Sequence, residues 1–183
     1  MTFLLRQDMS PKVWAVRARD DLPFETFCRG EPLLDAPEGS IRFELTEHEV
    51  RSDLLEFPYF VVSTPLKVAF DDYGVDNIAW YPATLVEPGG VEHEAWLGNI
   101  LNPPAPTERK LTKKKKAKSF AAHRRRLSLD SNAELSRPAN RKQLIAISDA
   151  LKEHLEARDL EGLVFQDPSS YSGDPVSSFW DND

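Results

Sequence analysis

The 183-residue chain carries a formal net charge of -7, with 40% hydrophobic residues and a mean hydropathy of -0.47. That length holds one ample domain or two small ones, and no stretch approaches the roughly 18 apolar residues of a transmembrane helix. A single cysteine, Cys28, excludes an internal disulfide and a cysteine-rich zinc site, and fits a reducing compartment.

The net charge conceals a partition. Residues 1–105 carry -10, residues 106–142 carry +10, and residues 143–183 carry -7. The pI near 5.2 therefore describes neither surface, and steering depends on which block meets a partner.

The opening MTFLLRQDMSPK breaks its apolar run at Arg6 and Asp8, so no secretory signal is expected. Val13–Ala18 alternates around Trp14 and reads as the first strand. Residues 24–40 contain Gly30, Pro32, Pro37 and Gly39, and read as loop. Ile41–Leu45 alternates strictly as a second strand. Thr46–Ser52 reads as a helical turn or loop.

The best local signal runs from Tyr59 to Pro82. Tyr59–Val62 suits a buried strand. Ser63 or Thr64 can cap a helix, with Pro65 tolerated in its first turn. Leu66, Ala69, Phe70 and Tyr73 share one helical face. Gly74 stops the helix, because only glycine enters the left-handed region cheaply. Ile78–Tyr81 resumes as strand, extended by Ala83–Val86, turned at Pro88–Gly90, and followed by a strand over Val91–Ile100.

The same order recurs 85 residues later, from Leu144 to Pro168. Ser63 matches Ser148, Leu66 matches Leu151, Lys67 matches Lys152, Phe70 matches Leu155, and Trp80 matches Phe165. Identities are few, and capping plus amphipathicity demand most of the matches, so convergence on good strand–cap–helix–strand grammar is the expectation. Each helix would be roughly 15 Å long, too short to stand without a sheet beneath it. The fold expected is α+β: a sheet of short strands, two strand–cap–helix–strand units and a long basic loop. Residues 1–168 form a single domain, 103–142 a basic insert, and 169–183 an acidic, fraying tail whose Phe179 and Trp180 can dock.

Motifs for catalysis are scarce. The histidines at 48, 93, 123 and 154 lack metal-ligand spacing. Glu92, His93 and Glu94 alternate across a strand and cannot converge on one ion. His154 reads as a half-buried packing residue, Cys28 as an inert thiol. Gly89-Gly90 lacks the context of a phosphate cradle. No catalytic, metal or cofactor residue is assigned, and a non-enzyme is expected. The basic block offers Lys113, Lys114, Lys115, Lys116, Lys118, Arg124, Arg125 and Arg126 to a polyanion. It has one aromatic, Phe120, and acidic flanks that repel nucleic acid, so a solvated loop is the favoured reading.

The order of segments resembles a known family. VWAVRARDD precedes a Gly30-Glu31-Pro32 loop. FPYFVVSTPLKVAFDDYGVDNIAWYPATLV, LGNILN with Asn99, and LIAISDALKEHLEARDLEGLVFQD follow. Together they resemble bacterial immunity proteins of the imm-eleven type over residues 12–168. The Pro103–Pro106 segment and the lysine-rich block depart from the family's middle. The resemblance implies a cytoplasmic antidote that binds a cognate toxin, such as a nuclease, without catalysis, needing neither cofactor nor membrane. An acidic antidote would be steered to a basic cleft. Asp71, Asp72 and Asp76 on the first unit, with Glu153, Glu156 and Asp159 on the second, are the candidate partner-binding residues. Two alternatives stand beside it: a nucleic-acid-associated regulator using the basic block, and an adaptor that loads a secreted toxin.

Overall fold

The computed structural model describes residues 1–8, 22–33, 38–45, 52–56, 58–101, 127, 129, 133–138 and 143–171. The expected strand Val13–Ala18, the stretch 46–51, Pro103–Pro106, the basic-block candidates from Lys113 to Arg126, and Phe179 with Trp180 lie outside the described residues.

Among the described residues, nine strands and two longer helices give the α+β fold expected from the sequence. A five-stranded sheet has the order β2(Ile41–Glu44), β5(Ile78–Val86), β6(Glu92–Ile100), β4(Val61–Ser63), β3(Leu54–Leu55). A four-stranded sheet has the order β7(Leu135–Ser136), β8(Ile145–Ser148), β1(Thr2–Gln7), β9(Leu163–Gln166). Helix α1 spans Phe24–Arg29, α2 spans Thr64–Tyr73 and α3 spans Asp149–Glu156.

Both strand–cap–helix–strand units form as the sequence implies. The Ser63 hydroxyl accepts from the Leu66 amide at 3.3 Å, and the Ser148 hydroxyl accepts from Leu151 at 3.1 Å. Each cap satisfies one of the amides that a helix start leaves without a partner. Gly74 closes α2 in the left-handed conformation, at φ 89°. In each unit the two strands flank a third that is antiparallel to both: β6 between β4 and β5, β1 between β8 and β9.

Two segments differ from the sequence reading. Phe24–Arg29 is helix rather than loop, and Gly30, read there as a loop marker, is its left-handed stop at φ 65°. Thr2–Gln7 is a strand in the middle of its sheet. The chain beyond β9 makes a turn of 3-10 helix at Pro168–Ser170, and Tyr171 packs beside Leu4, Leu144 and Ala146.

One apolar core joins the units. It collects Leu66, Ala69 and Phe70 of α2, Leu151 and Leu155 of α3, and inward residues of both sheets including Leu5, Phe60, Ile100 and Ile147. Phe60, Phe70 and Trp80 form a triangle with ring centroids 5.9–6.1 Å apart. Burying each such phenylalanine contributes about 2–3 kcal/mol. A second core lies on the opposite face of the five-stranded sheet, where Phe27 of α1 meets Phe43, Tyr59, Leu85 and Leu97. Asn99, fully buried in β6, ties α1 to this sheet by donating from Nδ2 to the Glu31 carbonyl at 2.6 Å.

Candidate functional site

The β5–β6 ladder runs for nine residue pairs, from Ile78↔Ile100 to Val86↔Glu92, and turns at Pro88–Gly90. Alternation sets its faces: Ala95 and Leu97 join the α1 core, while Trp96 packs with α2. Trp96 donates from its indole to the Thr64 hydroxyl at 3.1 Å.

Beside this arm lies a groove of about 390 Å³ lined by Ser52, Asp53, Ser63, His93, Glu94, Asp159 and Glu161, with Leu55, Val61, Val62 and Leu85 supplying apolar surface. A shallower concavity of about 380 Å³ continues along the arm past Glu92, Glu94 and Trp96. His93 and Glu94 belong to both. Among the described residues, no lysine or arginine lines either one.

The groove's polar groups divide into tied and untied. Asp53 accepts the Ser63 hydroxyl on one oxygen and the Glu161 amide on the other. His93 Nε2 lies 2.8 Å from Glu87. Glu94, Asp159 and Glu161 are exposed, and no cationic side chain pairs with them among the described residues. Uncompensated carboxylates around an apolar-lined depression make a negative field available to a cationic surface.

The carboxylates singled out from sequence fare differently. Lys67 pairs with Asp71 at 2.6 Å, Lys152 with Glu156 at 2.7 Å, and Arg158 with Asp72 at 2.9 Å. Asp76 and Glu153 are exposed, and only Asp159 joins the groove. Sequence reading missed Asp53 and Glu161, and weighed Glu94 only as an ion ligand, because three separate segments bring the three together.

Each lysine also covers aromatic rings. Lys67 Nζ stands 4.7 Å from the Trp96 ring centroid and 5.8 Å from Trp80. Lys152 Nζ stands 5.0 Å from Phe3 and 5.7 Å from Phe165. Such contacts hold the cation by the ring quadrupole, and the carboxylate one turn on completes its coordination.

The Ser63 hydroxyl accepts from the Leu66 amide and donates to the Asp53 carboxylate. Among the described residues no three His, Cys, Asp or Glu side chains converge to hold a metal ion. Nor is any described helix long and apolar enough to cross a membrane.

No protein-family model matches this chain, and no curated protein matches it.

Proposed function

We propose that this protein is an immunity protein, which binds a toxin in the producing cell and neutralises it by covering a basic cleft, without catalysis. The observation that carries the reading is the groove beside the β5–β6 arm, where Glu94, Asp159 and Glu161 present charge that no described cation offsets. The segment pattern that resembles imm-eleven immunity proteins supports it. The docking surface belongs at the groove rather than on the outer face of the helices, because Asp71, Asp72 and Glu156 already hold cations.

Charge complementarity of this kind acts on the association rate and is screened by salt. The test co-expresses the chain with the product of the neighbouring gene, then measures affinity across a salt series. Glu94→Lys with Glu161→Lys is expected to weaken binding about tenfold at low salt and to flatten the salt slope. Asp71→Asn with Glu156→Gln is expected to leave both unchanged. Equal affinity and slope for the groove variant reject the groove as the surface. Absence of protection in cells making the toxin rejects the immunity reading itself, and binding without protection is the result an adaptor would give.

A further inference from the structure

The two units agree far beyond what capping requires. Shifting β4–α2–β5 by 85 residues gives β8–α3–β9, and the middle strand β6 then falls on β1, with Trp96 on Phe3 and Ile100 on Gln7. The ladders share one register. Val62 faces Trp96, Trp80 faces Gly98 and Ile78 faces Ile100. In the same places Ile147 faces Phe3, Phe165 faces Leu5 and Leu163 faces Gln7.

The outer strands also correspond, Leu54 pairing with Val62 and Leu135 with Ile147. An acid precedes each outer strand and receives the capping hydroxyl: Asp53 from Ser63, Glu134 from Ser148. The amides of those serines donate to the carbonyls of the same acids, at 3.0 and 2.9 Å. At the far end, Leu101 donates to the Asn77 carbonyl at 2.8 Å, and Asp8 donates to the Gly162 carbonyl at 2.9 Å. A lysine lies over two aromatic rings in both units. Strand–helix grammar accounts for a cap and an apolar stripe. It does not account for an acid on the cap, a lysine on two rings and a middle strand in matching register.

We propose that the chain is a duplicated unit in permuted form, in which residues 2–7 are the closing strand of the second copy, a strap held in the centre of its sheet without the hairpin that joins β5 to β6. In the first copy the closing strand follows by the turn at Pro88–Gly90. In the second it arrives from the other end of the sequence. Residues Pro82–Val86 have no strand counterpart in the second copy, since β9 ends at Gln166, so the paired arm that they form with Glu92–Glu94 extends the first copy. Three groove residues, Leu85, His93 and Glu94, fall in that extension.

The test uses circular permutants that keep all 183 residues. Joining Asp183 to Met1 and opening the chain between Asp8 and Met9 restores a covalent connection from β9 to β1. Opening it instead between Gly89 and Gly90 gives the mirror arrangement, with the break moved to the first copy. Each is made with a short and a long glycine–serine joint. Both permutants are expected to unfold cooperatively, with melting temperatures within about 10 °C of the parent. Hydrogen exchange on the parent protein is expected to show β1 amides opening together with those of β8 and β9. Failure of either permutant to fold with both joints overturns the proposal. So does exchange in which β1 opens a hundredfold more often than β8 and β9.

Discussion

His154 occupies the place in α3 that Ala69 occupies in α2, and the two residues meet: the ring nitrogen Nε2 lies 3.1 Å from the Ala69 carbonyl oxygen. The imidazole donates there, while Arg158, whose Nη2 lies 3.3 Å from the same nitrogen, finds its acceptor in Asp72 at 2.9 Å. Tyr73 stands edge-on to the ring at 5.2 Å. His154→Leu keeps the volume and loses the donor, so urea unfolding should show a loss of about 1 kcal/mol. His154→Gln, which keeps an N–H, should recover part of it.

The capping serines carry a heavier duty than an isolated cap, because each also donates to a carboxylate. Ser63→Ala and Ser148→Ala should each cost about 1–2 kcal/mol in chemical denaturation. Combining Ser63→Ala with Asp53→Asn should cost less than the sum of the two single changes, since one interaction is removed twice.

Gly98 is where the aromatic triangle reaches the sheet. A methyl group there would stand 2.6 Å from Phe60 Cδ1 and 2.8 Å from Trp80 Cζ3. Both rings are packed against α2 residues and have little room to yield. Gly98→Ala should destabilise the fold by about 1–3 kcal/mol, read as a lowered melting temperature.

On the exposed face of the arm, Arg42 holds Glu92 at 2.8 Å. Its hydrogen bond first, and its charge second, keep the Glu92 carboxyl below the ordinary 4.5. A depressed carboxylate contributes stability above its unfolded value and loses it as pH falls through the folded value. The pair should therefore persist as pH drops past 4.5 and dissolve only as pH falls on through the lowered folded value. An NMR titration of Glu92 checks this, and Arg42→Ala should return the midpoint to the ordinary range.

What was legible in the sequence was local chemistry. Ser63, Pro65 and Gly74 mark the start and stop of α2 because caps, ring constraints and positive φ act within a few residues. Thr2–Gln7 escaped notice because its partners lie near residues 145 and 165, and because Arg6 looked like a break. Its guanidinium is instead half-buried on Glu56 at 2.7 Å, a pairing no window of sequence contains. Helix α1 was hidden by its own stop signal, since Gly30 and Pro32 dominate so short a segment. The acids of the helices were visible, and their cations at i-4 were readable for Lys67 and Lys152. The link from Arg158 to Asp72, and the gathering of Asp53, Glu94, Asp159 and Glu161, depend on how the units pack.

The place of β1 has a consequence for synthesis. Phe3 pairs with Ile147 and Leu5 with Phe165, so β1 is made well before the strands on either side of it and waits for them. Strands β3 to β6 and helix α2 lie within Leu54–Ile100, and can close while the rest is still being made. Until β8 and β9 emerge, Leu4 and Leu5 have no sheet to enter. During synthesis, therefore, the strands of the first unit can pair while the apolar β1 segment still lacks its partners, and the core that joins the two units forms only after β8, α3 and β9 have emerged.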